Sequence, residues 1–440
     1  MTRWSRRDFF AWTAATAAMA KSSVSFALDQ IPPASASNPG FSILQGYTDH
    51  ESTYINVVAK ASEVLEFSVQ GGYWEPRIQM VRTDRASSEN CVYQLWIRDL
   101  VLGQEYTFSI KGPSGNLLDQ RTFAALDLGP RRVRLGFVSC AMDHLHRADI
   151  WQELNRARPD LIFFLGDNVY ADRRSLAEKV TLVEPDFLWE RYVQTRERVA
   201  FYYLPRLTPV LAIWDDHDFG GNNVNSTYPF KAESKEIFET FFPQPDAQFM
   251  ETGPGIARRF SGFGAEFFLL DGRTFRSSPG SPSGTMFGQE QTTWLAGQLQ
   301  PKPSWLMNGS LFYGAYGDFE SFEGDFPDDF ARFKTLLRRS GATPAFVSGD
   351  VHYSEVMRIE SEQLGFESFE LVSSSIHSMT FPGHHLRFNN PRRQVADSAH
   401  NFMIWEGEFT DQSIQGEVVS YGADFELFRS ITRAGLIIGT

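Results

Sequence analysis

Two hydrophobic periods in one chain predict its fold class: an α/β sandwich of mixed β-sheets flanked by helices, preceded by a small all-β domain. Residues 41 to 125 alternate apolar and polar positions in short runs between Gly-rich turns, the pattern of half-buried antiparallel strands. From Arg131 onward, short runs rich in branched and aromatic residues alternate with helical patterns, as expected of sheets covered by helices. Composition agrees: of 440 residues, 42% are apolar, 14% aromatic and 22% charged, which excludes a collagen-like, coiled-coil or disordered chain.

The first 27 residues stand outside this fold. Ser-Arg-Arg-Asp-Phe-Phe at residues 5 to 10 is followed by a weakly apolar run from Ala11 to Ala20, Lys21, and a small-residue stretch ending Ser25-Phe26-Ala27. This resembles a twin-arginine export signal cleaved near Ala27; an exposed basic first turn is the structural alternative. The apolar run falls short of the about 20 residues that cross a bilayer, so no transmembrane segment is expected. The resemblance implies a periplasmic or secreted protein carried in folded form by the twin-arginine machinery, with its cofactor already inserted. Residues 28 to 40, containing IPPASASNPG, read as a linker.

Charge narrows the partners. Lys+Arg total 41 against Asp+Glu 54, a formal charge of -13, and loss of residues 1 to 27 would remove four basic residues and one acidic. Stable nucleic-acid or anionic-membrane binding needs clustered cations. The expected partner is therefore a small molecule or a cation. Only Cys91 and Cys140 occur, so at most one bridge could form.

The first folded segment, 41 to 125, carries strand patterns such as Val64 to Val69 and Tyr106 to Ile110. The stretch IRDLVLGQEYTFSIKGPSGNLLDQRTF resembles the last strands of a fibronectin-III-like module, where a Leu, a Gly turn and a Tyr close the corner. No catalytic constellation falls within it. In the second segment, 131 to 440, the buried runs are RVRLGFVSC, LIFFLGD, PVLAIWDDHD, FFLLDGR, SWLMNGS and AFVSGDVH. Ile150, Trp151 and Leu154 form one helix face that Pro159 closes, and Phe330, Phe333, Leu336 and Leu337 form another. Residues 402 to 428 return to strand-like alternation and complete a sheet.

Each buried run ends in a group that is costly inside a core: Cys140, Asp167, Asp215 with Asp216 and His217, Asp271, Asn308, and Asp350 with His352. Ligands of α/β proteins collect at the carboxyl ends of strands, so these distant residues can converge. Ionised carboxylates brought together repel unless a cation sits among them. The arrangement predicts a metal centre of two ions. Taken singly, Gly166-Asp167 could be a turn, Tyr170 a core residue, Gly349-Asp350 a capped turn and Cys140 an inert thiol. Asp215-Asp216-His217-Asp218 resists such a reading, because three carboxylates around one imidazole need a counter-charge.

The ordered set SC (139 to 140), GDNVY (166 to 170), IWDDHDFGGNN (213 to 223), GDVHYSE (349 to 355) and ELVSSSIHS (370 to 378) resembles the metallophosphoesterases, and within them the alkaline phosphatase D family. The similarity covers about residues 41 to 430. The resemblance implies a metallophosphoesterase-type sandwich and an exported hydrolase of phosphate monoesters or diesters with a dinuclear centre. It implies that Asp167 bridges two metals, that Tyr170 and Cys140 bind Fe(III), and that Asp216 binds a second divalent metal, for which the family suggests Ca²⁺. Asp350 and His352 become further ligands and His217 the active-site histidine. Asn308, Asn222, Asn223 and Asp215 are additional candidates for the same centre. Phenolate and thiolate suit a ferric ion, and carboxylate oxygens suit a hard one. Two metals can clamp the attacking and leaving oxygens, while His217 can protonate a leaving alkoxide.

One departure is visible: no histidine lies between Asp218 and Val351, where many superfamily members have a ligand. Elsewhere, His144 and His146 are expected in a solvated loop and His384 with His385 as a surface pair or rim. The acidic segment EGDFPDDF (323 to 330) should cap a helix begun near Asp328. Arg191, Arg196 and Arg206 are candidates to neutralise phosphate. Two alternatives remain: a phospholipase D-like diesterase, and a non-catalytic extracytoplasmic binding protein with a decayed metal fold.

Overall fold

A computed structural model describes residues 40–432 other than 73, 130, 131, 318, 411 and 412. The export signal expected over residues 1–27, and nearly all of the linker expected over 28–40, lie outside them. Among the described residues no helix is long and apolar enough to cross a membrane.

The alternating segment forms strands β1 (Ser42–Thr48), β2 (Ser52–Lys60), β3 (Glu66–Gln70), β4 (Arg77–Asp84), β5 (Asn90–Arg98), β6 (Glu105–Lys111) and β7 (Leu117–Ala124). They pair antiparallel in two sheets, β1-β2-β5-β4 and β3-β6-β7. Period-2 alternation sends Ile55, Val57, Tyr93, Leu95, Ile97, Phe108 and Ile110 into one shared core. The turn before β6 closes as its sequence suggests, with the Val101 N–H donating to the Tyr106 hydroxyl at 2.9 Å.

The second segment opens with β8 (Val133–Val138), β9 (Leu161–Leu165) and β10 (Val210–Ile213). It continues with β11 (Met250–Thr252), β12 (Arg258–Gly262), β13 (Ala265–Leu269), β14 (Pro303–Met307), β15 (Thr343–Ser348), β16 (Ser354–Ile359), β17 (Ser368–Val372) and β18 (Arg393–Asp397). It closes with β19 (Phe402–Phe409), β20 (Ile414–Gly422) and β21 (Phe425–Thr432). Among the described residues these make two mixed sheets, β10-β9-β8-β19-β20-β21 and β11-β12-β13-β14-β15-β17-β16-β18. β8, β9 and β10 run parallel, as do β13, β14, β15 and β17. The expected tail strands do complete the first sheet, β19 pairing antiparallel with β8.

The two mixed sheets face each other across aromatic side chains. Phe137 lies 5.8 Å from Phe163 and 5.6 Å from Trp305, and Trp305 lies 5.5 Å from Trp405. Phe267, Trp305 and Val347 point into this inner core, while Phe268, Leu306 and Phe346, one residue away on the same strands, enter a second core. A sheet buried on both faces needs continuous apolar runs rather than alternation, which is what FFLL and SWLM supply.

Helices α1 (Ala148–Ala157), α2 (Pro185–Arg198), α3 (Asp216–Phe219), α4 (Lys231–Phe241), α5 (Gly288–Gln298), α6 (Phe322–Asp325), α7 (Pro327–Ser340) and α8 (Ser361–Leu364) connect the strands. α1 buries Ile150, Trp151 and Leu154, and α7 buries Phe330, Phe333 and Leu337, as their spacing requires. The acidic segment before α7 does not cap it. Pro327 starts that helix without a side-chain cap, Ser321 caps the short α6, and Asp325 instead pairs with Arg276 at 2.7 Å. Proline at the first helical turn already removes one of the donors a cap would satisfy.

Candidate metal centre

Five of the six chemically loaded runs place their groups just past the end of a parallel strand at one site: Cys140 after β8, Asp167 after β9, Asp215 and Asp216 after β10, Asn308 after β14, Asp350 and His352 after β15. Asp271 after β13 instead accepts from Trp214 Nε1 at 2.9 Å and the Thr274 hydroxyl at 2.6 Å. The backbone there is unusual. Cys140, Asp167, Asn223, Asp350 and His352 all have positive φ, from 53° to 71°, a region that non-glycine residues rarely adopt. Such conformations persist only where surrounding structure demands them, and they concentrate at functional sites. Neighbouring glycines make room: a Cβ on Gly166 would meet the Asp215 Cβ at 2.6 Å, and one on Gly349 would meet the Ser139 side chain at 2.7 Å.

Ligand atoms of Cys140, Asp167 and His352 lie within 4.8 Å of one another, and so do those of Asp167, Asp216 and His217. Asp167 belongs to both groups. Tyr170 adjoins the first, its hydroxyl 3.1 Å from His352 Nε2, and its ring lies 4.3 Å from that of His217. The Cys140 thiol sits 3.7 Å from Asp167 Oδ2 and 3.8 Å from the Asp350 carbonyl oxygen. Asp350 therefore reaches the first group through its backbone. Its carboxylate belongs to neither group.

Around these groups, several side chains hold them in place. Ser374 Oγ donates to Cys140 Sγ at 3.2 Å, and the Tyr170 hydroxyl donates to Ser378 Oγ at 2.9 Å; these serines explain the chemical content of ELVSSSIHS. The Asn223 N–H donates to Asp216 Oδ2 at 2.6 Å, while the Asn222 and Asn223 side chains are exposed and bonded to each other. Asp172, which sequence reading did not single out, accepts from His217 Nδ1 at 2.6 Å. Its only sequence signal is a second carboxylate five positions after Asp167. Both cysteines are buried and free.

Electrostatics show what the cluster lacks. Burial, then the facing Asp216 and Asp215, push the Asp167 carboxyl well above the usual carboxylate range. Asp350 is raised by burial and by Asp215. Burial and Asp167 raise the Cys140 thiol, and burial and Cys140 raise the Tyr170 phenol. Asp216 resists burial through His217 and Arg273 and stays low. Burial opposes protonation of His217, but Asp216 and Asp172 outweigh it and raise its pKa. Asp167 Oδ1 and Asn308 Oδ1 are buried with no hydrogen-bond partner among the described residues. Orphaned acceptor oxygens beside mutually repelling acids fit a cation.

Other candidates are engaged elsewhere. Asp215 is paired with Arg273 at 2.5 Å and also accepts from Ser310 Oγ at 3.3 Å. Arg191 is buried on Asp143 at 2.6 Å, and Arg196 bonds Ser42 and Asn56 of the β-sandwich. Neither is a phosphate clamp, because a guanidinium without solvent access is held by its fixed partners. Arg206 pairs through its backbone with Thr122, on the β-sandwich strand β7, and its buried Nη1 has no hydrogen-bond partner among the described residues. His144 and His146 are half-buried rather than free: His144 contacts the Arg174 carbonyl at 3.2 Å and His146 packs edge-on against His377. Nor are His384 and His385 a free surface pair. His384 hydrogen-bonds the His352 backbone and lies against Phe381, and His385 contacts Ser398 Oγ at 2.6 Å.

Residues 135–313 match the PhoD-like phosphatase family. The fold is similar to the solved structure of PhoD, with a TM-score of 0.67 over 91% of this chain and 94% of that one, at 16% sequence identity. No curated protein matches. The matched interval contains Cys140, Asp167, Tyr170, Asp216, His217 and Asn308, while Asp350 and His352 lie beyond its end.

Proposed function

We propose that this PhoD-like chain hydrolyses phosphoric esters at the strand-end cluster with the help of two metal ions. The observation that carries the reading is the pair of ligand groups sharing Asp167, whose Oδ1 has no partner. Cys140, Tyr170, Asp167 and His352 would hold Fe(III), since thiolate, phenolate and imidazole are suited to it. Asp167 and Asp216 would hold the second ion, with Ca²⁺ the family's suggestion and Asn308 Oδ1 a further oxygen donor. When bound, the ions supply Lewis acidity and neutralise phosphoryl charge.

The chain's own residues do the rest. Asp172 anchors His217 Nδ1, which fixes the ring and leaves Nε2 as its unengaged nitrogen. A protonated His217 can then deliver its Nε2 proton to a leaving oxygen. Ser374 and Ser378 hold Cys140 and Tyr170 in register, and the left-handed backbone at Cys140, Asp167 and His352 turns the side chains inward. Asp215 is assigned to the arginine pair beside the centre rather than to a metal.

The same reading extends to the rest of the chain: residues 1–27 as a twin-arginine signal, 41–125 as a fibronectin-III-like module, 131–440 as the catalytic portion, and a periplasmic or secreted location. Metal analysis of the purified protein with a visible spectrum, followed by parallel assays on a phosphate monoester and a diester, tests it. Iron with a second divalent metal and turnover of either ester supports the reading. A metal-free protein that stays inactive when supplied with both ions overturns it.

A further inference from the structure

A cleft of about 600 Å³ lies between the outer face of the first β-sandwich sheet and α4. Its volume falls in the range of small-molecule sites. One wall is a row of side chains in register across three strands, Gln79 of β4, Trp96 of β5 and Tyr54 of β2. The Trp96 and Tyr54 ring planes differ by only 7°, with centroids 5.8 Å apart. The other wall carries Lys235, Glu236 and Glu239 of α4, with Asp246 beyond.

The walls are tied together before any ligand arrives. Asn56 Nδ2 donates to the Thr240 carbonyl at 2.7 Å and Gln94 Nε2 to the Glu239 carbonyl at 2.9 Å. Arg258 Nε donates to the Gln244 carbonyl at 2.9 Å, and the Gln244 side chain bonds both backbone groups of Ala212 in β10. A pre-formed cleft loses little entropy on binding. Against this rigid frame, the Trp96 indole N–H, the Tyr54 hydroxyl, the Gln79 amide and the Glu236 carboxylate hydrogen-bond to no other described residue. Donors and acceptors of both kinds therefore stand around an aromatic wall.

Chemistry selects the ligand by elimination. A cation is disfavoured at the aromatic wall because the Arg98 guanidinium already lies 4.1 Å from the Trp96 centroid, backing the ring without lining the cleft. An anion is disfavoured because Arg258 is held by Glu239 at 2.5 Å, and Lys235, paired loosely with the same carboxylate at 3.8 Å, faces Glu236 and Asp246 as well. A wholly apolar ligand would bury those carboxylates unpaired. A neutral polyol with a flat C–H face can pack on the Tyr54 side of the stacked pair, whose Trp96 is covered by Arg98, and also meet the polar groups. We infer that this cleft binds a neutral saccharide, at a site distinct from the metal centre.

The test is a tryptophan-fluorescence and calorimetric titration of the whole chain with chitotetraose, cellotetraose and maltotetraose, with choline and inorganic phosphate as competing probes. At least one tetrasaccharide should bind saturably. In both Trp96→Ala and Glu236→Gln its Kd should rise tenfold or more, about 1.4 kcal/mol, while hydrolysis of a soluble phosphate ester stays at the wild-type rate. Glu236 is exposed, so its variant tests the site without threatening the fold. The inference fails if no tetrasaccharide saturates up to its solubility limit, if either variant binds as tightly as wild type, or if choline or phosphate occupies the cleft instead.

Discussion

Asp215 and Asp216 are adjacent in sequence and both buried, yet they belong to opposite kinds of charge cluster. On the Asp215 side, Arg273 lies 2.5 Å from Asp215 and 2.6 Å from Glu320, and Arg276 reaches Glu320 at 2.9 Å and Asp325 at 2.7 Å. Each of these carboxylates has a guanidinium. On the Asp216 side, no lysine or arginine among the described residues bonds to Asp216, Asp167 or Asp350. One cluster thus has two arginines in direct contact with its acids, while its neighbour feels only the longer-range pull of Arg273 and the charge of His217. The difference separates a closed structural network from an open one whose side chains could hold a metal.

The sharpest way to break this comparison is Asp167→Asn. It removes the carboxylate common to both ligand groups, so metal content should collapse and nearly all turnover with it, read by elemental analysis alongside ester hydrolysis. Full metal occupancy in that variant would remove Asp167 from the centre. On the closed side, Arg273→Met should leave the buried Asp215 without its cation and Glu320 with Arg276 alone, and cost about 3–5 kcal/mol of stability, measured by urea unfolding. A loss below about 1 kcal/mol would mean that Asp215 and Glu320 do not depend on it.

His217 lies on the border, since it could coordinate or donate a proton. His217→Ala should retain iron but slow turnover by roughly 10² to 10⁴, and Asp172→Asn should reproduce part of that loss, about 10- to 100-fold. Metal loss equal to that of Asp167→Asn would assign His217 to coordination. Cys140 and Cys91 offer a matched pair, both buried and free. Cys140→Ser should weaken iron binding and shift the visible absorption, and Cys91→Ser, inside the β-sandwich core, should do neither.

A third kind of buried carboxylate calibrates the other two. Glu370 has neither an arginine nor a place in a ligand group, and accepts from the Phe312 and Tyr313 N–H groups at 2.9 Å and from Ser348 Oγ at 2.6 Å. Burial pushes its pKa from 4.5 up to about 7, against the pull of those donors. The folded state therefore holds the proton more tightly than the unfolded one. Its stabilising share is complete below pH 4.5 and is lost as pH rises toward 7. Glu370→Gln should flatten that part of the stability profile, and an unchanged slope would show that Glu370 titrates normally.

Much of this was legible in the chain. The strand ends carrying Cys140, Asp167, Asp216, Asn308 and Asp350 follow from apolar runs that stop at a polar group, and α1 from the spacing of Ile150, Trp151 and Leu154. What was not legible depends on partners far apart in sequence. Asp172 carries no sequence motif of its own, and only the contact with His217, 45 positions on, gives it a role. Arg191 and Arg196 looked available for phosphate because a guanidinium in a helix gives no sign of the buried partner it will meet.

Periodicity and residue type by themselves determined which segments become strands, which are buried on one face or two, and which strand ends carry metal-competent side chains, because those are local consequences of burying apolar surface in a repeating backbone. Which acids were paired with arginine and which were left to repel one another was decided only by the tertiary structure. Coulomb and hydrogen-bond energies depend on distances of a few ångströms, and those distances are set by how two sheets and their loops pack rather than by the order of residues along the chain.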